Sequence, residues 1–133
     1  MFFLAKYENA STNVDEPKYY EVTAGEAVEE GEALVLTSGK LTKCGSTTKP
    51  THIAMMSLPA SAEKREIATV RVDENQLWRA PIAGDFSALV PGAKVTLSGD
   101  ALGVTSTTAG GVATIEKLSG AQKSGDEIYV RFI

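Results

Sequence analysis

Cys44 and His52 are the residues most suited to catalysis, because they are the one cysteine and the one histidine of the chain and lie eight positions apart. A nucleophile needs a base within hydrogen-bonding distance, and a thiol and an imidazole facing each other across a hairpin would meet that need. A small buried thiol and a partly exposed histidine at a strand edge explain the same pattern, and no third residue stands out that would orient the imidazole. We therefore expect both residues to be structural, and we predict no catalytic residue.

Two clusters of carboxylates could support acid–base chemistry or bind a divalent cation. They are Glu29-Glu30-Gly31-Glu32 and Asp73-Glu74-Asn75. Glycine and asparagine are turn residues, and acidic side chains in turns are usually just solvated, which is what we expect here. One cysteine and one histidine are too few for a structural zinc site, and no nucleotide-binding or EF-hand motif occurs. The sequence therefore predicts neither an enzyme nor a metal or cofactor site.

Lys40 follows a glycine turn and could carry a covalent cofactor. It stands after Ser38-Gly39, and Val28-Glu29-Glu30-Gly31-Glu32-Ala33-Leu34 precedes that turn. The series resembles the strand ahead of the modified lysine in biotinyl and lipoyl carrier domains. Lys40 lacks the residues that flank the lysine in those families. A carrier domain is therefore kept only as an alternative.

The composition limits the remaining classes of protein. With 133 residues, 43% hydrophobic and 23% charged, the chain fits one globular domain. A net charge of -4 has the wrong sign for a protein held by phosphates, so we expect no nucleic-acid partner. Apolar runs are far shorter than the roughly 18 residues of a membrane span, and no signal peptide is evident. We expect a soluble protein that does not associate with a membrane.

Short stretches of alternating apolar and polar residues predict an all-β fold. In residues 128–133, for example, Ile128, Val130 and Phe132 share one face. The helical candidate at residues 61–66 is short enough to be a loop or a single turn. The other predicted strands are residues 20–23, 33–37, 53–57, 67–72, 76–79, 94–97 and 112–118.

The chain also resembles itself. Residues 31–39 are similar to residues 92–99 at an offset of 61, and Val70-Arg71 is followed by Val130-Arg131 at an offset of 60. Either two halves, at about 22–72 and 85–133, arose by duplication, or short strands with glycine turns look alike by chance. One half of about 60 residues has too little interior to fold alone. We therefore predict two similar halves packed into one compact β-barrel or β-sandwich.

The first nineteen residues differ from the rest, because five of the nine aromatic residues lie within the first twenty positions around a polar run. Such a segment buries itself poorly, which predicts an extended N-terminal arm at residues 1–19 ahead of a single β domain at 20–133. Exposed rings on an arm would be good interface anchors. The alternative is that residues 2–4 form an edge strand or a plug of the barrel itself. Trp78 is expected in the core between the halves rather than on the surface as a platform for sugars.

A resemblance to a known family rests on four stretches of the sequence. They are Val22-Thr23-Ala24-Gly25-Glu26-Ala27-Val28-Glu29-Glu30-Gly31-Glu32-Ala33-Leu34-Val35-Leu36, Lys40-Leu41-Thr42-Lys43-Cys44, Ile53-Ala54-Met55 and Val70-Arg71-Val72. This pattern resembles the capsid decoration proteins of tailed phages, also called cement or head-stabilising proteins. The likeness covers about residues 20–133.

The resemblance implies a β-barrel or β-sandwich that binds the outer surface of an assembled capsid lattice of the HK97-like type. Its partner would be the major capsid protein. The protein would be made in the host bacterial cytoplasm and would act on the outside of the virion. It would bind there as a monomer or a trimer. No cofactor or catalytic residue is implied. A carbohydrate-binding module on the virion surface is a further alternative. The predicted capsid anchors are Phe2, Phe3, Tyr7, Tyr19 and Tyr20.

Overall fold

The computed structural model of the protein describes residues 1–8, 16–118, 120 and 123–133, and these form an all-β structure. The predicted fold class is confirmed, and residues 61–66 form no helix. Three strands, β1, β4 and β9, lie outside the predicted set. The strands are β1 (Phe3–Tyr7), β2 (Lys18–Val22), β3 (Ala33–Thr37), β4 (Lys40–Lys43), β5 (His52–Ala54), β6 (Glu66–Arg71), β7 (Gln76–Ala83), β8 (Lys94–Val95), β9 (Val104–Thr105), β10 (Ala113–Lys117) and β11 (Glu127–Phe132).

The first unit is a closed barrel whose strands lie in the order β2-β4-β3-β5-β6. Alternate residues of each strand point inward, so that Val22, Leu34 and Ile67 share one buried cluster. β3 and β4 are joined by the turn Ser38-Gly39, in which both residues have positive φ, 51° and 80°. That is the backbone of a tight type I′ hairpin turn, and it brings β4 directly beside β3.

The second unit, β7 to β11, closes in a similar way. Its sheet runs β7-β11-β10-β8, and β9 lies parallel to the far end of β7. A bridge between Leu97 and Val104 links the end of β8 to β9, where the Thr105 amide also donates a hydrogen bond to the Thr96 carbonyl at 2.9 Å. The five strands therefore form a second ring, with β1 added along the outer edge of β7.

The two units repeat one another in their pairing. In each, the first strand runs antiparallel to the last and parallel to the third. The Gly31 amide donates to the Ala54 carbonyl, and 61 residues later the Gly92 amide donates to the Ile115 carbonyl. Thr51 to Leu34 and Val112 to Val95 form another such pair of hydrogen bonds. The prediction of two similar halves is confirmed.

One part of the predicted alignment is wrong by one residue. Ile67 pairs with Tyr20, and Ile128 pairs with Ala80 at the equivalent position, so β6 and β11 correspond at an offset of 61. The counterpart of Val70 is therefore Arg131, and the Val-Arg match at 60 is a coincidence. The units also begin earlier than predicted, because the first strand of the second unit starts at Gln76 rather than near residue 85.

The predicted extended arm is wrong for the described residues at the start of the chain. β1 pairs antiparallel with β7, from Phe3 opposite Arg79 to Tyr7 opposite Gln76. The Phe2 side chain is 2% exposed, and its ring lies 5.2 Å from that of Phe132. The alternative is confirmed, since the segment is both an edge strand and a plug. Residues 9–15, in the middle of the predicted arm, lie outside the described residues.

The larger core cluster joins the two units. Ala33, Cys44 and Ile53 of the first unit pack in the same cluster as Trp78 and residues of the second. Two backbone hydrogen bonds also cross between the units, from Ala33 to Ala101 and from Leu97 to Ser46. Trp78, 1% exposed, lies in this shared core as predicted, so its indole ring is not a surface platform.

Candidate binding surface

Cys44 and His52 make their hydrogen bonds elsewhere than to each other. The Cys44 thiol donates to the Thr48 carbonyl at 2.9 Å, and burial raises its pKa to about 12. His52 is only 5% exposed, so the expected partial exposure is wrong. Its Nδ1 lies 2.9 Å from Thr51 Oγ1, and its ring packs edge-on against Tyr20. The thiol is therefore protonated at neutral pH and faces the backbone rather than a base.

The first carboxylate cluster is only partly solvated. Glu29 and Glu30 are exposed, but Glu32 is buried, and its carboxylate accepts a hydrogen bond from the Glu29 amide at 2.8 Å. Burial raises the pKa of the Glu32 carboxyl, since the charged form is poorly solvated there. The expectation of a solvated turn is wrong for Glu32, which closes its own turn. In the part of the chain that the structure covers, no group of three or more potential metal ligands occurs.

Lys40 lies immediately after the β3–β4 turn, at the start of β4. It pairs with Thr37, and its ammonium is 3.7 Å from the Glu21 carboxylate. The side chain is exposed. The carrier alternative stays a prediction.

The five predicted anchors occupy different environments. Phe2 is in the core, and Tyr20 lies on the inner face of the first barrel. Tyr7 is half-buried. Phe3 and Tyr19 are exposed, at 46% and 65%. Only these last two rings are free for a large contact with a partner.

Phe3 owes its position to the way the start of the chain is fixed. The Phe2 amide donates to the Gly31 carbonyl at 2.9 Å, and Met1 packs directly over Gly31. Phe3 then points outward, with the Arg79 guanidinium 4.7 Å from the centre of its ring. A cation over an aromatic face is attractive, so Arg79 holds the ring in place.

Tyr19 and Met55 flank Ala68 on the outer face of the first barrel. Tyr19 is the cross-strand partner of Ala68, and the Met55 amide donates to the Ala68 carbonyl at 3.0 Å. Met55 also lines a shallow depression of about 180 Å³ with Met1 and Phe3. We call these residues the apolar strip: Met1, Phe3, Tyr19, Met55 and Ala68. It brings together the two exposed rings of the predicted set.

The composition of the apolar strip suits contact with another protein. Tyrosine, phenylalanine and methionine are enriched at protein interfaces, because they bury much area and methionine adapts its shape. At the Phe3 end, Arg79 Nε lies 2.8 Å from the Glu127 carboxylate, which provides a charged rim. An exposed apolar surface with a polar rim is typical of an interaction site.

Sequence reasoning missed Met1, Met55 and Ala68 as members of this surface. Residues 53–57 were predicted as one strand, but β5 ends at Ala54, and Met55 turns outward after it. The apolar run at Ile53-Ala54-Met55-Met56 was the available signal. Distinguishing its buried start from its exposed end required the position of the neighbouring strand.

The architecture is that of a duplicated β-barrel with an added N-terminal strand, and none of the described residues form a helix able to span a bilayer. No protein-family model matches the sequence, and no curated protein does. Among solved structures, the chain is similar to the N base of the head fiber gp8.5 of bacteriophage phi29. The TM-score is 0.56 at 11% identity, over 89% of this chain and 95% of that chain. The likeness shows the fold.

Proposed function

We propose that the protein is a structural protein of a phage virion that binds the outer surface of the assembled capsid and stabilises the shell. The observation that carries this proposal is the apolar strip, in which exposed Tyr19 and Met55 flank Ala68, and Met55 lines one depression with exposed Phe3. The fold shared with a phage head-fiber base supports the same class of role. The resemblance of the sequence to decoration proteins agrees with it.

The stabilisation would follow from mass action. A protein that binds the assembled lattice but not free subunits lowers the free energy of the assembled state at each copy bound. Contacts that bridge neighbouring subunits reinforce one another, so modest individual affinities give a large effect over the shell. The strip needs to supply only a moderate affinity for each copy.

The test is binding to purified capsids that lack the protein. The double variant Tyr19→Ser and Met55→Ser should lower the occupancy on the heads and raise the apparent Kd at least tenfold. The reason is that central aromatic anchors typically contribute about 2 kcal/mol or more. Val90→Ser is the matched control, since Val90 is 64% exposed but belongs to the β7–β8 loop rather than the strip. Wild-type occupancy by the double variant, with an unchanged melting temperature, would contradict the assignment.

Self-association as a trimer is part of the same proposal, because a trimer would present three strips to a lattice. Size-exclusion chromatography with light scattering on the free protein measures this directly. A monomer at all accessible concentrations would remove the trimer and leave the capsid contact to single copies.

A further inference from the structure

The two units differ at one end of their barrels, although their strands correspond. In the second unit, Ala113 pairs with Phe132, and the equivalent pair in the first unit is His52 with Arg71. Phe132 packs against Phe2 and Trp78, which fill that end with apolar side chains. The first unit places polar groups at the matching positions and has no such plug among its described residues.

The corresponding end of the first barrel is an open cavity of about 520 Å³. Binding sites for small ligands commonly measure about 300–1,000 Å³. None of the residues of the apolar strip line this cavity, so it is separate from the proposed capsid contact. Its walls include Tyr20, Leu36, Lys49, Pro50, His52 and Arg71.

Two cations, Lys49 and Arg71, line the cavity. Across the described residues, neither Arg71 nor Lys49 forms an ion pair, whereas Arg79 and Arg131 of the second unit each do. Asp73 and Glu74 line a neighbouring depression that shares Lys49 and Arg71. Burial lowers the pKa of His52, and the positive charge of Arg71 lowers it further. Of the described charged side chains, only cations line the first cavity, whereas the carboxylates lie in the neighbouring depression, so an anion would be attracted into the first cavity.

Hydrogen-bond donors and an aromatic ring complete the site. Thr51 Oγ1 accepts a hydrogen bond from the Leu36 amide at 2.8 Å, so its own proton is free for His52 Nδ1 at 2.9 Å. In the tautomer that accepts this hydrogen bond at Nδ1, the neutral imidazole carries its proton on Nε2, which makes no hydrogen bond to the described residues. Tyr20 adds a ring held edge-to-face against His52, with 4.9 Å between the centroids.

We propose that this cavity binds a carboxylated saccharide, such as a uronic acid at the end of a glycan. Arg71 would pair with the carboxylate, His52 Nε2 would donate to a ring hydroxyl, and Tyr20 would pack against the sugar ring. Guanidinium–carboxylate pairs are charge-assisted and specific in geometry, so the acid group would decide selectivity. This second site does not depend on the proposed capsid contact.

The test is a nuclear magnetic resonance titration of the full chain with D-glucuronic acid, D-glucose and acetate. Glucuronic acid should give saturable shifts at Tyr20, His52 and Arg71, with a Kd at least tenfold below that for glucose or for acetate. Glucose binding equally well would exclude the role of the carboxylate. Acetate binding equally well would reduce the site to a simple anion site, and no saturable shift with glucuronic acid would overturn the proposal.

Variants locate the selectivity. Arg71→Gln should weaken glucuronic acid binding at least tenfold and leave the weak glucose binding unchanged, while Lys64→Gln, an exposed lysine outside the cavity, should change neither. If Arg71→Gln does not fold, the shifts mapped on the wild-type chain still decide the matter. Capsid binding by the wild-type chain is scored separately, so failure of either site is visible on its own.

Discussion

The Arg131 side chain donates a hydrogen bond to the carboxylate of Glu8, a residue 123 positions earlier in the chain. Its Nε also donates to Glu116 Oε1 at 3.0 Å, and another guanidinium nitrogen donates to the Glu74 carbonyl. One guanidinium therefore joins the end of β1, the turn before β7, and the two strands β10 and β11. This relationship fixes the start of the chain to its last strand.

We expect the contribution of Glu8 to be lost in acid. Hydrogen bonds from Arg131 and then Lys6 hold the pKa of the Glu8 carboxyl below its usual value of 4.5. A carboxyl with a depressed folded-state pKa stabilises the fold above its unfolded-state pKa, and this contribution disappears as the pH falls through the lower, folded-state value. Glu8→Gln should therefore flatten the dependence of stability on pH in the range below about pH 4.5.

The measurement is the midpoint of urea unfolding at a series of pH values for wild type and Glu8→Gln. Glu63→Gln serves as the control, because Glu63 is exposed and, among the described residues, its carboxylate makes no ion pair. Parallel pH curves for wild type and Glu8→Gln would show that the Arg131 contact is not formed in solution.

Phe2 and Phe3 are neighbours in sequence, but truncation of Phe2 should affect mainly stability and truncation of Phe3 mainly binding. Phe2→Ala removes a fully buried ring from the shared core and should cost about 3–5 kcal/mol of unfolding free energy. Phe3→Ala removes a half-exposed ring and one cation–π contact, so it should cost about 1 kcal/mol or less. Phe3→Ala should reduce binding to capsids instead. Equal stability losses in chemical denaturation would contradict the burial of Phe2.

Gly31 and Gly92 occupy equivalent positions in the two units, so the same substitution can be compared at both. Both have positive φ, +81° and +95°, a conformation in which a side chain costs about 1–2 kcal/mol. A Cβ at Gly31 would also meet Met1 Cβ at 2.4 Å, while a Cβ at Gly92 meets nothing within 4 Å. Gly31→Ala should therefore be the more destabilising of the two in urea unfolding and should disturb β1. Identical losses would mean that Met1 does not pack over Gly31.

The Cys44 thiol should resist modification in the folded protein. With its pKa raised to about 12 by burial and its proton donated to the Thr48 carbonyl, almost no thiolate is present at neutral pH. Labelling with Ellman's reagent at pH 8 should be slow in buffer and rapid in denaturant. Fast labelling in buffer would show that the loop after β4 opens.

Much of the fold follows from local patterns. Alternation of apolar and polar residues identifies eight of the eleven strands, and the offset of 61 between Gly31 and Gly92 identifies the duplication. β9 has only two residues, and β4 has polar residues at three of its four positions, so neither strand carries a clear pattern of its own. Each is held by its partners rather than by its own sequence.

The fate of the aromatic residues near the start of the chain shows where sequence reasoning ends. Composition identifies Phe2, Phe3 and Tyr19 as unusual, but all three have the same local signal. Only the pairing of β1 with β7 buries Phe2 and leaves Phe3 outside, because side chains alternate along a strand whose faces are set by distant neighbours. The amino-acid sequence by itself thus determined an all-β duplicated chain rich in candidate anchors. Which anchors reach the surface, and that Met55 joins them beside Tyr19, was decided by long-range strand pairing in the tertiary structure.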